Sequence, residues 1–297
     1  MKRLVSILLI VGIITTLALV GLVACKDTRT GYPDGEKYTA GAGTYSVTGV
    51  SKLNVAWTAG EANVTFSNEV SQITITEENN LTEEAYVVHH YLDPNGTLWV
   101  KPLAASVADD SIPTFTTKIL TITLPKIVLQ EVYVENHGAV INLVGADAQK
   151  IETYNTGYGT SIRESKTVEL KATSQGVTGD VSFNGTVTGS AKISAAMQAF
   201  LTTTTMPTDI TMSGKGKVSC TIPQEVPGFT VTYSKPTTFN SNFTPISEAQ
   251  ENEEGNYYRT YGTGAITIKL TCSTRTWILS DKTENITNLN FVPPAEV

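Results

Sequence analysis

The chain has 297 residues, 40% hydrophobic and 16% charged, with a formal net charge of -7. That much apolar material excludes disorder throughout, and an acidic chain lacks the general basic surface that displaces counterions from nucleic acid. The polar remainder is mostly Thr, Ser, Asn and Gly, which suit strands and turns better than solvated helices.

Residues 1–24 read as an export leader, with basic Met1-Lys2-Arg3, an apolar run from Leu4 to Gly21, then Leu22-Val23-Ala24-Cys25. The basic end stays cytoplasmic while the apolar run enters the export channel, and small Ala24 suits a cleavage pocket. The last four residues resemble the bacterial lipobox. That resemblance implies a lipoprotein signal peptide, a diacylglycerol thioether on Cys25, and an extracytoplasmic, lipid-anchored place in the bacterial cell envelope. Two acyl chains anchor stably, at about 0.8 kcal/mol per buried CH₂. The alternative is an uncleaved anchor, since Leu4 to Ala24 is long enough to cross a bilayer. Residues 25–37 are polar, with Gly31, Pro33 and Gly35, and read as a tether below the body.

From 38 to 297 short apolar alternations are broken by turn residues. Leu53, Val55 and Trp57 alternate, Gly60 turns the chain, and Val64, Phe66, Ile73 and Ile75 follow. His89 to Tyr91, then Asp93-Pro94-Asn95-Gly96, then Leu98-Trp99-Val100, predict an antiparallel hairpin. Strand openings recur at Val132, Ile151, Val168, Ile193 and Ile210, separated by 19, 17, 25 and 17 residues. Ser194–Leu201 is the one helix-tolerant stretch, and residues 235–260, with Pro236, Pro245 and an acidic run, read as a surface insertion. Ordering about 20 residues costs roughly 20–40 kcal/mol, while four buried aliphatic side chains return about 6–12 kcal/mol. Such units must therefore stack. The expected fold is all-β, a single-stranded, right-handed β-solenoid-like stack of short strands with an antiparallel N-terminal portion. A β-sandwich is the alternative.

The stretches Leu53-Asn54-Val55-Ala56-Trp57, Leu98-Trp99-Val100-Lys101, Leu120–Pro125 and Val132-Tyr133-Val134 resemble a bacterial adhesin-like family, a β-strand-repeat domain of unknown function. The resemblance spans residues 45–235. It implies a solenoid, surface exposure, and no enzymatic residues to carry over.

Chemistry-bearing residues are sparse. His89 and His90 are neighbours on a strand and point to opposite faces, and His137 sits in a turn, so no metal site is expected. The acidic pairs Glu77-Glu78, Glu83-Glu84, Asp109-Asp110 and Glu253-Glu254 fall in turns and loop runs rather than at one convergent point. Gly214-Lys215-Gly216-Lys217 reads as a basic turn, lacking the helix a phosphate loop requires. Cys220 and Cys272 lie in strand-like runs, open either to a disulfide or to buried free thiols. Tyr154 and Tyr158, and the cluster Tyr257, Tyr258 and Tyr261, are the candidate ligand-facing aromatics, with core packing as the competing role. No cofactor is expected. The function expected is a non-enzymatic surface module binding a glycan or an envelope protein. The alternatives are an envelope-stress regulator acting through a membrane partner and a polysaccharide-degrading β-helix enzyme.

Overall fold

The computed structural model describes residues 31–108, 112–115, 117–234 and 238–281. The leader, Cys25, residues 26–30 and Asp109-Asp110 lie outside the described residues. The N-terminal third carries β1 (Thr39–Ala40), β2 (Gly43–Ser46), β3 (Lys52–Trp57), β4 (Glu61–Ser67), β5 (Gln72–Asn79), β6 (His89–Leu92), β7 (Thr97–Lys101) and β8 (Lys118–Pro125). The middle carries β9 (Val128–Asn136), β10 (Val140–Val144), β11 (Asp147–Asn155), β12 (Gly159–Ser174), β13 (Asp180–Ala195), β14 (Gln198–Thr203), β15 (Asp209–Gly214) and β16 (Lys217–Ile222). The C-terminal part carries β17 (Gly228–Tyr233), β18 (Thr238–Ser241), β19 (Gln250–Glu251), β20 (Tyr257–Gly262), β21 (Ile266–Cys272) and β22 (Arg275–Ser280). Among the described residues no helix is long and apolar enough to cross a membrane.

The strands build two parallel faces. The first runs β7, β3, β9, β11, the second half of β12, the second half of β13, β15, β21, β17. The second runs β8, β4, β10, the first half of β12, the first half of β13, β14, β16, β22, β18. This parallel register is that of a solenoid. A sandwich of hairpins would pair sequence neighbours antiparallel. Inward residues alternate with outward ones along each strand, and the inward ones stack in register. One column is Leu98, Leu53, Val132, Ile151, Leu170, Ala191, Ile210, Ile268 and Val231, all buried.

That column corrects the repeat. The aligned openings are Val132, Ile151, Leu170, Ala191 and Ile210, so the rung is 19 residues with a single 21-residue exception. Val168 is 40% exposed, at a register shift between Thr167 and Glu169, while small Ala191 takes the core place expected for Ile193. A bulge adds a residue without moving the core column, which misleads any count of large apolar residues.

Buried Asn136 and Asn155 hold successive corners on the first face. Asn136 Nδ2 donates to Gly60 O (2.8 Å) and Val140 O (2.9 Å), and its Oδ1 accepts Gly138 N–H. Asn155 repeats this with Ala139 O, Gly159 O and Gly157 N–H. The following glycine sits where backbones touch. A Cβ on Gly157 would lie 2.1 Å from Gly138 O, and one on Gly176 would lie 1.7 Å from Gly157 O.

The N-terminal portion is antiparallel as expected, with β2 on β5, β5 on β8, β6 on β7 and β1 on β6. In the β6–β7 hairpin Asp93 Oδ1 accepts the Asn95 and Thr97 N–H groups, and Gly96 takes the positive φ. Three other expectations change. Tyr32, expected in the tether, is packed, its hydroxyl donating to Leu103 O and its ring lying on Tyr38. Ser194–Leu201 is strand and turn, because Ala195, Ala199 and Leu201 alternate into the core. Residues 238–262 are not a loose insertion: β18 completes the second face, and β20 lies antiparallel on β17, closing the first.

Candidate ligand-binding face

The sequence-predicted aromatics separate. Tyr154 stands half-buried on the outside of the first face, its hydroxyl donating to Gln175 and its ring centre 6.0 Å from that of His137. Tyr158 projects from a corner, 69% exposed. Tyr258 lies on the outside of β20 and donates to Gln250. Tyr261 is buried and stacks on Phe229, and Tyr257 leans on Tyr233, so these two pack in or against the core at the C-terminal end. They alternate with Tyr258 along one strand, and the inward face takes them. The five do not form one site.

Cys220 and Cys272 are both buried, and no disulfide joins them. Cys220 belongs to the second face, beside Leu201 and Ile278, while Cys272 ends β21 in the first face, beside Gly214. Burial pushes the Cys220 thiol up to about 12, suiting a core residue rather than a nucleophile.

The histidines also divide. His90 is buried, with Nε2 3.0 Å from Gly41 O and Nδ1 2.7 Å from Tyr45 Oη, so the neutral ring protonated on Nε2 satisfies both. Burial holds its pKa below the ordinary value. His89 bonds Val87 O, and exposed His137 sits 2.7 Å from Glu135. The acidic pairs stay apart. Glu77 forms a buried ion pair with Lys118, whereas Glu78, Glu83, Glu84, Glu253 and Glu254 are outward and Asp109-Asp110 lies outside the described residues. Among the described residues no three His, Cys, Asp or Glu side chains gather as metal ligands do.

The two outer faces differ in chemistry. On the first, Lys52, Glu131, Lys150 and Glu169 alternate in sign along one row. Lys150 bridges Glu131 (3.0 Å) and Glu152 (2.7 Å), and Lys171 reaches Glu152 (2.6 Å), so these charges satisfy one another. The second face carries a row of uncharged side chains in register: Thr121, Asn63, Asn142, Ser161, Ser182, Phe200, Ser219, Trp277 and Asn240. Asn142 Nδ2 donates to Asn63 Oδ1 (2.8 Å), aligning the two amides.

Ser161 and Ser182 lie between Asn142 and Phe200, Gly159 lies between Val140 and Asp180 in the adjacent row, and these small residues leave a groove of about 360 Å³. Asp180 is held by the Gln198 backbone N–H (2.9 Å). Beyond Phe200, Lys217 Nζ lies 5.4 Å from the Phe200 ring centre and 3.8 Å from that of Trp277. Open backbone, amides, hydroxyls and two aromatic rings thus share one face. Sequence reading missed this row because its members are a full rung apart.

No family model and no curated protein matches the chain. Among solved structures it is similar to a candidate cell adhesion protein from Clostridium sporogenes, at 13% identity and a TM-score of 0.38, covering 82% of this chain and 100% of that one. It is also similar to a candidate adhesin from Bacteroides fragilis, at 16% identity and a TM-score of 0.38, covering 82% and 97%. A third, a candidate adhesin from Parabacteroides distasonis, has 10% identity, a TM-score of 0.35 and coverage of 82% and 97%.

Proposed function

We propose that the protein is a non-enzymatic surface module, anchored through lipid on Cys25, whose second face binds a glycan. The observation that carries the binding half is the row of Asn63, Asn142, Ser161, Ser182, Phe200 and Trp277 around an open groove. Sugars are bound by aromatic rings that take their apolar faces and by amides and hydroxyls that take their rims. A polar, pre-aligned strand face supplies both without ordering a loop, and so at low entropic cost. The anchoring half rests on the leader and the lipobox-like Leu22-Val23-Ala24-Cys25.

Two measurements test the reading. Mass spectrometry of the mature N-terminus should find acylated Cys25, and an unmodified Met1 would refute the anchor. Isothermal titration against a panel of neutral and acidic oligosaccharides should find a ligand whose binding falls at least about tenfold in Phe200→Ser, a loss of about 1.4 kcal/mol. Binding indifferent to that substitution would move the site elsewhere, and released reducing or unsaturated ends would make the protein an enzyme.

A further inference from the structure

The basic turn Gly214-Lys215-Gly216-Lys217 joins β15 to β16 and is pinned in place. Lys215 O accepts the hydroxyls of Ser273 (2.7 Å) and Thr274 (3.0 Å), in the turn between β21 and β22. The C-terminal rung thereby sets Arg275 beside Lys217 in the register of the second face. Lys215 and Arg275 are exposed. None of the three cations forms an ion pair among the described residues. In a chain of net charge -7, three cations without an ion pair thus meet within one turn and the adjoining strand.

Their surroundings are equally specific. Lys217 Nζ lies over Trp277 and near Phe200, whose strands are two ladder steps apart, roughly 10 Å, with only Ser219 between them. Trp277 Nε1 is out of solvent and has no acceptor among the described residues, a donor left over at the same place. Partial burial and the neighbouring Arg275 charge both lower the Lys217 pKa, as expected of two cations with no anion between them.

We infer that this basic corner, beyond Phe200 from the groove, takes a uronate, so that the ligand is a carboxylated polysaccharide lying along the solenoid axis. The inference rests on the glycan-binding reading and assigns it a substrate class. Charge complementarity requires an anion at Lys217 and Arg275, and a guanidinium meets a carboxylate through paired hydrogen bonds. The flanking rings require that the anion be carried on a sugar ring, which a uronate polymer provides in every acidic unit. An alditol-phosphate chain has the charge without the ring. The stretch of Asn142, Ser161 and Ser182, with the Asp180 carboxylate at its edge, then faces the hydroxyls of neighbouring units rather than their carboxylates.

The test compares three probes on the mature protein: oligogalacturonate, its methyl ester, and poly(glycerol phosphate). The double variant Lys217→Met, Arg275→Gln keeps the length of the side chain over Trp277 and alters one exposed residue, and circular dichroism confirms its fold. Oligogalacturonate should bind, weaken as salt rises, and lose at least about tenfold in affinity in the double variant. Equal binding of the methyl ester, or indifference to the double variant, overturns the uronate assignment. If Phe200→Ser still abolishes binding in that case, the glycan reading stands alone. Preference for poly(glycerol phosphate) overturns the assignment in favour of a phosphate ligand. Failure of every glycan in the panel ends both readings.

Discussion

The middle of the molecule and its two ends are built from the same rungs but threaded differently. From β9 to β16 each rung lies against the one before it in sequence. At the N-terminal end the β3–β4 rung lies between β9–β10 and β7–β8, although β7 and β8 come later in the chain. At the C-terminal end β21–β22 lies between β15–β16 and β17–β18, although β17 and β18 come earlier. Each end therefore places a chain-terminal rung inside and an adjoining segment outside it, then adds antiparallel strands, β5 and β6 at one end and β20 at the other. A solenoid left open exposes an unpaired strand edge that invites association with another chain. Interleaving makes the covers part of the stack, because neither can leave without opening a second rung.

The largest expected effect follows from that interleaving. Removing residues 265–297 takes away β21 and β22, which separates β17 and β18 from their parallel partners. Amide protection should vanish across residues 228–262 in hydrogen exchange. Deleting residues 156–174, one middle rung, leaves Asn155 followed by Gln175-Gly176 and so preserves the corner pattern. That variant should remain folded, losing only the share of one repeat unit and its interface. Similar collapse in both would erase the distinction between middle and ends.

Next in size is Lys118→Met at the N-terminal end. Lys118 is buried, ion-paired to Glu77, bonded to Tyr86 O (2.8 Å) and set 4.9 Å from the Trp57 ring centre. Removing one partner strands a carboxylate in the core, at about 3–5 kcal/mol of unfolding free energy measured by urea denaturation. Glu77→Gln in the same chain should recover part of the loss. The smallest effect belongs to the middle corners. Gly157→Ala should cost about 1–3 kcal/mol, because its Cβ would lie 2.1 Å from Gly138 O. Gly216→Ala, whose nearest contact would be 3.6 Å, should be near neutral in the same thermal melts.

Much of the strand content was legible. Leu53, Val55, Trp57, Val132, Val134, Ile141 and Leu143 alternate in sequence and are buried in the structure. The rung length was legible too, in Asn136-x-Gly138, Asn155-x-Gly157 and Ser174-x-Gly176 at 19-residue spacing and equally in Val132, Ile151 and Leu170. Corner and core rows both lengthen to 21 residues at the next rung, Ser174 to Ala195 and Leu170 to Ala191. A count of large apolar residues hides this, because Val168 is outward and the column passes through small Ala191. Lys118 gave no sign of burial, since its partners Glu77, Tyr86 and Trp57 are 32 to 61 residues away. Lys215 and Lys217 were legible as a basic turn, but not as neighbours of Arg275.

Local chemistry alone determined which segments extend, which side of each strand turns inward and where the chain bends, because these depend on alternation and on turn residues within a few positions. Tertiary structure decided which rung lies on which, and so which outward residues become neighbours across the groove. Backbone ladders pair any extended segment with any other. Partner choice is therefore written in the summed fit of many side chains and corners, not in a local pattern.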